Sequence, residues 1–260
     1  MRIAVTRQIS PAINQCELTH LERIPIDVER ARLQHHAYEE SLHHLGLELV
    51  SLPEEPFLPD SVFVEDTAIV LGECAVLTRP GADSRLPEIE SIRRALTPHR
   101  KLFTILSPGT LDGGDVLTVG RTLYVGLSGR SNQEAIDQLA FFLKPYEYSV
   151  KTIRVSGCLH LKSAVTQVGA NTLLVNPAWV DKDNFPKMEL IEIDPSEPYA
   201  ANVLLIGSTV LFQPIYSQTL RRLEAAGFRP ILVDQSELSK AEGGLTCCSL
   251  IFNSSLSGTG

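Results

Sequence analysis

The chain of 260 residues is 43% hydrophobic and 21% charged, ordinary globular proportions with ample length for a sizeable core. Its formal net charge of −8 argues against nucleic acid or an anionic membrane as the main partner. No run of about 18 apolar residues and no leader-like N-terminus occur, so neither a membrane span nor a secretory signal is expected. The five cysteines are widely spaced and include no CxxC pair, so free thiols in a reducing cytoplasm are expected, not disulfides or a zinc site.

In chain order, a lone strand, RIAVTR (2–7), precedes a helix over 28–45 whose apolar stripe is Val28, Ala31, His35, Tyr38, Leu42 and Leu45. His36, Glu40 and His44 are four apart on this helix and could face one metal, but they lie at the edge of the stripe or in solvent. No metal site is expected there. EDTAIVLGECAVLTRPG (65–81) then reads as strand, Gly turn, strand, and PEIESIRRAL as a helix with Pro87 in its first turn and Pro98 beyond its end. GDVLTVGRTLYVGLSG (114–129) repeats the pattern. Ser131 and Glu134 form a capping box that opens AIDQLAFFL, Pro145 closes it, and the strand YSVKTIRV follows. KSAVTQVGANTLLVNP (162–177) is a third copy and ANVLLIGSTVLFQP (201–214) a fourth. The fourth continues into a helix from Ser217 to Gly227 and the strand PILVD. TCCSLIFN (246–253) is half of a fifth copy, read as leading directly into a strand. Asp66, Asp115, Ser163, Asn202 and Thr246 occupy matching places.

The repeated unit is strand–strand–helix–strand, and the truncated last copy can pair with the lone first strand. That would close a ring of about five units with no free edge, as propellers do. One catalytic domain over 1–253 is expected, with a flexible polar tail over 254–260. A closed ring gathers equivalent loops round a central channel. The segments before the first strand of each copy supply Asp60, Glu65 and Asp66; Asp112 and Asp115; His160 and Lys162; and Cys247 and Cys248.

Each of these residues also has a structural explanation. A cysteine near a strand is commonly packing, a histidine between leucines is commonly core, and aspartates beside glycines commonly bond turn amides. Cys248, on the opposite face of a strand from Cys247, keeps the packing reading, as do Cys16, Cys74 and Cys158. Asp115 also looks structural. Together the rest form a coherent set. A thiolate needs a nearby cation, which can be the substrate itself, a histidine can move protons, and a carboxylate can orient it. Extra carboxylates suit a cationic guanidinium, which they bind in paired fashion.

At LPDSVFVEDTA, TRPGADSR, LDGGDVL, VGLSGRSNQ, CLHLKS and LTCCS the chain resembles dimethylarginine dimethylaminohydrolases, guanidine-modifying enzymes of the pentein fold. The likeness runs from about residue 5 to 253 in the family's order. It implies a five-bladed α/β-propeller of ββαβ units round a central channel. It further implies Cys247 as nucleophile, His160 as general acid and base, and Asp112 as the group that orients His160. Asp60 and Asp66 would grip the guanidinium, with Glu65 supporting. Arg85 and Arg130 would take the substrate's α-carboxylate, and the backbone carbonyls of Leu18 and Ala241 its α-amino group. Ala241 stands where a larger aliphatic residue is common, so the pocket wall is expected to differ there. The implied reaction converts Nω-methylated arginine to citrulline with no cofactor, in a monomer or homodimer. Arginine deiminase action on free arginine is the alternative within the fold. The short chain disfavours it and the amidinotransferases, and a non-catalytic pentein would be expected to lack one of Cys, His and Asp.

Overall fold

A computed structural model describes residues 1–254. In chain order the elements are β1 (Arg2–Arg7), α1 (Val28–His44), β2 (Leu47–Leu52), β3 (Ala68–Val70), β4 (Cys74–Leu77), α2 (Ile89–Leu96), β5 (Lys101–Thr104), β6 (Val116–Val119), β7 (Thr122–Leu127), α3 (Gln133–Leu143) and β8 (Ser149–Arg154). They continue with α4 (Leu161–Ala164), β9 (Val165–Gly169), β10 (Thr172–Val175), β11 (Glu189–Glu192), β12 (Leu204–Ile206), β13 (Thr209–Phe212), α5 (Ser217–Ala225), β14 (Ile231–Leu232), α6 (Ser236–Ser239) and β15 (Leu250–Asn253).

The strands form five three-stranded sheets, β15-β1-β2, β3-β4-β5, β6-β7-β8, β9-β10-β11 and β12-β13-β14. Every sheet pairs its first two strands antiparallel and its last two parallel. The first sheet is completed from both ends of the chain. Val5 opposes Leu250 and Arg2 opposes Asn253 across β1 and β15, and Ser254 donates its N–H to the Met1 carbonyl. This is the expected closure, and the fold is a five-bladed α/β-propeller. The rest of the expected tail, 255–260, lies outside the described residues.

The core is divided among the junctions between blades. Alternate residues of one strand enter different cores. Cys74 and Val76 pack with Leu123 and Val125 of the next blade, while Ala75 and Leu77 pack with Ile3, Val5 and Phe252 of the previous one. Ile3 and Val5 likewise face away from Ala4, which joins Tyr38, Leu42 and Leu211. Both faces of each central strand are therefore covered, which is why these strands read as continuous apolar runs.

Three expectations need correction. The third copy has no α-helix between β10 and β11, only a 3-10 turn at Lys182–Asn184. Its connection, PAWVDKDNFPK, carries Pro177 and Pro186 and lacks an apolar helical period. The N-cap of α3 is Asn132, whose side chain accepts the Ala135 N–H, and not Ser131. The Ser131 hydroxyl is instead committed to Asp115 and to the Asp112 N–H. Finally, Cys247 and Cys248 lie in a turn before β15, closed by the Cys247 N–H on the Gly244 carbonyl, and not in a strand.

Phe252 plugs the junction between the first and second blades at 5% exposure. Phe252→Ala should lower unfolding free energy by about 3–5 kcal/mol with an unchanged denaturant slope, read by urea titration. A loss below about 1 kcal/mol would mean that this junction does not hold the ring shut.

Candidate active site

Each segment that precedes a first strand is a short turn that makes a polar link to its neighbour. The links run in sequence round the axis. Gly114 donates its N–H to Asp66 Oδ1 (2.9 Å), and Leu161 donates its own to Asp115 Oδ1 (2.9 Å). Asn202 Nδ2 donates to the Lys162 carbonyl (3.1 Å), and Thr246 donates its N–H to Asn202 Oδ1 (3.1 Å). The Glu65 N–H closes the circle on the Cys247 carbonyl (3.1 Å). The residues at matching places in the repeat, Asp66, Asp115, Asn202 and Thr246, are members of this circle.

The circle separates two cavities. One is a channel of about 240 Å3 lined by Glu65, Gly113, Lys162 and Thr246 among others. The second, about 20 Å3, is lined by Asp66, His160 and Cys247 together with Asp60, Arg85, Arg130 and Ala241. Neighbouring residues of three segments thus face opposite ways: Glu65 and Asp66, Lys162 and His160, Thr246 and Cys247. The larger of the two is lined by no cysteine or histidine, and its charged groups are already paired. Lys162 Nζ bonds Glu65 Oε1, and Thr246 Oγ1 donates to Glu65 Oε2 (2.7 Å).

His160 stands between two carboxylates. Its Nε2 is 2.9 Å from Asp112 Oδ2, and its Nδ1 is 3.8 Å from Asp66 Oδ1. Asp112 is fully buried and also accepts the Gly81 N–H (2.8 Å). Burial pushes the imidazole toward its neutral form, but the Asp66 charge, the Asp112 hydrogen bond and the Asp115 and Asp112 charges outweigh it and lift His160 to about 9. Asp66 is opposed by its own burial, yet His160, Arg85 and the Gly114 N–H hold it at about 2. At neutral pH the pair is therefore imidazolium and carboxylate.

Cys247 shares this cavity. Burial, then the charges of Glu65 and Asp66, push its thiol up to about 12, and the Gly244 N–H offsets this only in part. The resting site therefore holds a protonated thiol beside an imidazolium. A cation placed against Cys247 would favour its thiolate. Cys248 is fully buried in the core with Tyr38 and Leu245 and does not line the cavity.

The other expected residues fall in different places. Asp60 lines the cavity and accepts the Glu17 N–H through its carboxylate (3.1 and 3.3 Å). Glu65 faces the channel instead. Arg85 borders the cavity but is only 3% exposed. It donates to Asp66 (2.6 Å), to Glu88 through two nitrogens, and to the Asp60 and Phe63 carbonyls. Burial pushes the Glu88 carboxyl up to about 7 despite Arg85. Arg130 is less committed, 3.9 Å from Asp112 and donating to Thr19 Oγ1 (3.3 Å). Ala241 lines the cavity, whereas Leu18 is half-buried and packs on the core containing Tyr38. Asp115 accepts from Ser128 Oγ, Ser131 Oγ and Leu161 N and so fixes the backbone next to His160. His36, on α1, is largely exposed and lies 3.4 Å from Glu40. Among the described residues, Asp66, Asp112 and His160 are the one group with metal-ligating atoms in mutual reach, and all three are engaged as above.

Sequence reasoning missed Glu17, Leu159 and Glu242, which also line the cavity. The position of Glu242, between Ala241 and a Gly-Gly pair, was the available signal. It mirrors Asp115, which follows the pair at Gly113 and Gly114.

Those first glycines are close-approach positions. A Cβ on Gly113 would strike the Glu65 carbonyl, and one on Gly114 would sit 2.5 Å from His160 Nδ1 and 2.8 Å from Asp66 Oδ1. Gly114→Ala should therefore part His160 from Asp66 and lower the His160 titration midpoint from about 9, read by NMR of the imidazole. An unchanged midpoint would contradict the geometry. In the ligand-free protein, alkylation of Cys247 by iodoacetamide should climb about tenfold per pH unit from pH 6 to beyond pH 9. A plateau across that range would indicate a preformed thiolate.

No protein-family model matches the chain. It is 38% identical over 249 residues to a Streptomyces coelicolor protein named N(G),N(G)-dimethylarginine dimethylaminohydrolase, covering 95% of each chain. It is 36% identical over 228 residues to a Pseudomonas aeruginosa protein of the same name, covering 87% of this chain and 90% of that one. The solved structure of a Cys-to-Ser mutant of the P. aeruginosa enzyme, complexed with citrulline, superposes with a TM-score of 0.92 at 34% identity, over 96% of this chain and 98% of that one. With the circle of segments that gathers Cys247, His160 and Asp112 within the same propeller, these likenesses show that the chain belongs to the dimethylarginine dimethylaminohydrolase family.

Proposed function

We propose that this protein hydrolyses Nω-methylated arginines, asymmetric dimethylarginine and monomethylarginine, to citrulline and dimethylamine or methylamine. The observation that carries the reading is one cavity lined by a buried thiol, an imidazolium and a carboxylate of very low pKa, in a chain of this family. A guanidinium seated against Asp66 is the cation that the Cys247 thiol requires; its binding favours transfer of the thiol proton to solvent, because His160 already carries its own proton. Arg130 takes the α-carboxylate, and Arg85, most of whose donors are taken, chiefly holds Asp66 in place.

The Cys247 sulfur attacks the guanidinium carbon and forms a C–S bond. The C–N bond to the methylated nitrogen breaks, its electron pair leaves with the nitrogen, and His160 Nδ1 supplies the proton. His160, now neutral, takes a proton from water while the water oxygen bonds to the carbon. The C–S bond then breaks with its electrons returning to sulfur, and citrulline is released. Asp112 holds Nε2 throughout and so fixes the ring. The cavity as it stands has room for about one water. A substrate therefore needs the cavity to open, which the segment carrying Glu17, one of its lining residues, would allow by moving.

Incubation with asymmetric dimethylarginine, monomethylarginine and arginine should give citrulline from the methylated compounds. Absence of citrulline from all three would contradict the proposal. Cys247→Ser should lower kcat by at least about 1,000-fold, whereas Cys248→Ser should retain turnover. The reverse pattern would assign the nucleophile to the other member of the pair.

A further inference from the structure

In the proposed reaction Asp66 has two tasks that pull against each other. It must stay ionised while buried, and its charge must remain available to a cation in the cavity. Arg85 serves the first, donating from Nη1 to Asp66 Oδ2 (2.6 Å) with both side chains buried. Alone, that contact would make a closed ion pair with little net field left for a second cation. A further charge changes the balance. Glu88, the last residue of the 3-10 turn Asp83–Glu88, is 1% exposed. Its Oε1 accepts Arg85 Nε (3.1 Å) and its Oε2 accepts Arg85 Nη2 (2.8 Å). This is the bidentate arrangement of a carboxylate on a guanidinium, and it leaves only Nη1 for Asp66.

Glu88 stands at the N-cap position of α2, yet its side chain makes no cap hydrogen bond and is turned inward to Arg85. Burial opposes its charge and lifts its carboxyl to about 7, even with Arg85 beside it. The other charges that act on it are Asp60 and Asp66, from the segment before β3, which also oppose its ionisation, and Arg7 of β1. Arg7 is occupied by Glu55 and the Ser91 hydroxyl, and Ser91 in turn donates to the Glu88 carbonyl (3.0 Å). Glu88 is thus fixed at its backbone and aimed at Arg85. Glu88, Arg85, Asp66 and His160 form a buried row of alternating charge that runs from the start of α2 to the reaction cavity.

We infer that Glu88 is a positioning residue for the reaction: by engaging two of the three nitrogens of Arg85, it divides that guanidinium between two carboxylates and leaves Asp66 net negative toward His160 and toward a cation in the cavity. Glu88 does not line the cavity and acts only through Arg85. The inference rests on the proposed function for the identity of the cation, whereas its effect on His160 needs no ligand.

The first test is the NMR titration of the His160 imidazole in ligand-free protein. Glu88→Gln removes the charge and breaks the fork, because an amide accepts through one atom only. The His160 midpoint should then fall from about 9 by about half a unit or more. In an Arg85→Met background, Glu88→Gln should shift it by about 0.2 unit or less, since burial without a cation keeps the Glu88 carboxyl protonated. The second test is calorimetry at about pH 8, where Glu88 is ionised, on Cys247→Ser protein. It compares asymmetric dimethylarginine with citrulline, which shares the amino-acid end but carries a neutral ureido group. Glu88→Gln should weaken the cation about 10-fold or more and citrulline about 2-fold or less. A merely structural role would leave the His160 midpoint in place and weaken both ligands alike. Either result overturns the inference, as does an equal midpoint shift with and without Arg85. If neither ligand binds protein that retains Glu88, the catalytic proposal falls and the titration alone decides the inference. Should Glu88→Gln not fold, protein with Glu88 intact still decides it: affinity for asymmetric dimethylarginine relative to citrulline should rise about 5-fold from about pH 6 to about pH 8, as the Glu88 carboxyl ionises. A flat ratio there overturns it.

Discussion

Five hydrogen bonds in a circle hold the cavity-lining groups in register. Each blade sends one polar group across to the next: Asp66 to Gly114, Asp115 to Leu161, Lys162 to Asn202, Asn202 to Thr246 and Cys247 to Glu65. Among the described residues no strand of one sheet pairs with a strand of another, although an isolated bridge joins Arg79 to Leu111 and Thr166 bonds Val203, and the apolar cores at the junctions are non-directional. Packing can bring blades together, but it is the polar circle that fixes how far each turn extends toward the axis. The last bond joins residues 65 and 247 and depends on β15 pairing with β1. Closing the chain and completing the site are therefore one event.

The same circle explains the electrostatics. Because the segments before the strands are short turns, neighbouring residues face opposite sides. Glu65 and Lys162 neutralise each other on the channel side, while Asp66 and His160 stay on the other with Arg85 and Asp112. Buried charges persist only with partners, and here Lys162 reaches Glu65 and Asp112 reaches His160 from different blades. The result is a site with an imidazolium and a carboxylate already charged, and a thiol still neutral. A cation arriving beside that thiol would favour its ionisation, which in the proposed reaction couples the first chemical step to guanidine binding.

Much of this was legible in sequence because the repeat is internal. Matching Asp66, Asp115, Asn202 and Thr246 by place required only the strand pattern, and the half-unit at the C-terminus announced ring closure. Local helix chemistry was less secure. Ser131 obeyed every rule for a cap, yet Asn132 took that role because the serine hydroxyl had a stronger claim from Asp115. The third copy lacked a helix because the prolines in its connection forbid one. Residues that act through distant contacts were the hardest to assign. Arg85 looked like an anion binder, but its guanidinium is largely spent on Asp66 and Glu88 inside the protein. Glu242 carried no reading in the sequence, and its three contacts to residues more than 200 positions away tie it to the segment beside the cavity.

Covalent capture at Cys247 is the central claim, and rapid acid quenching followed by peptide mass spectrometry tests it most directly. During turnover of asymmetric dimethylarginine, the peptide containing Cys247 should carry the substrate's mass less dimethylamine, with Cys248 unmodified. Steady turnover with no adduct at Cys247, in samples where the quench traps other enzyme-bound species, would contradict nucleophilic attack by this thiol.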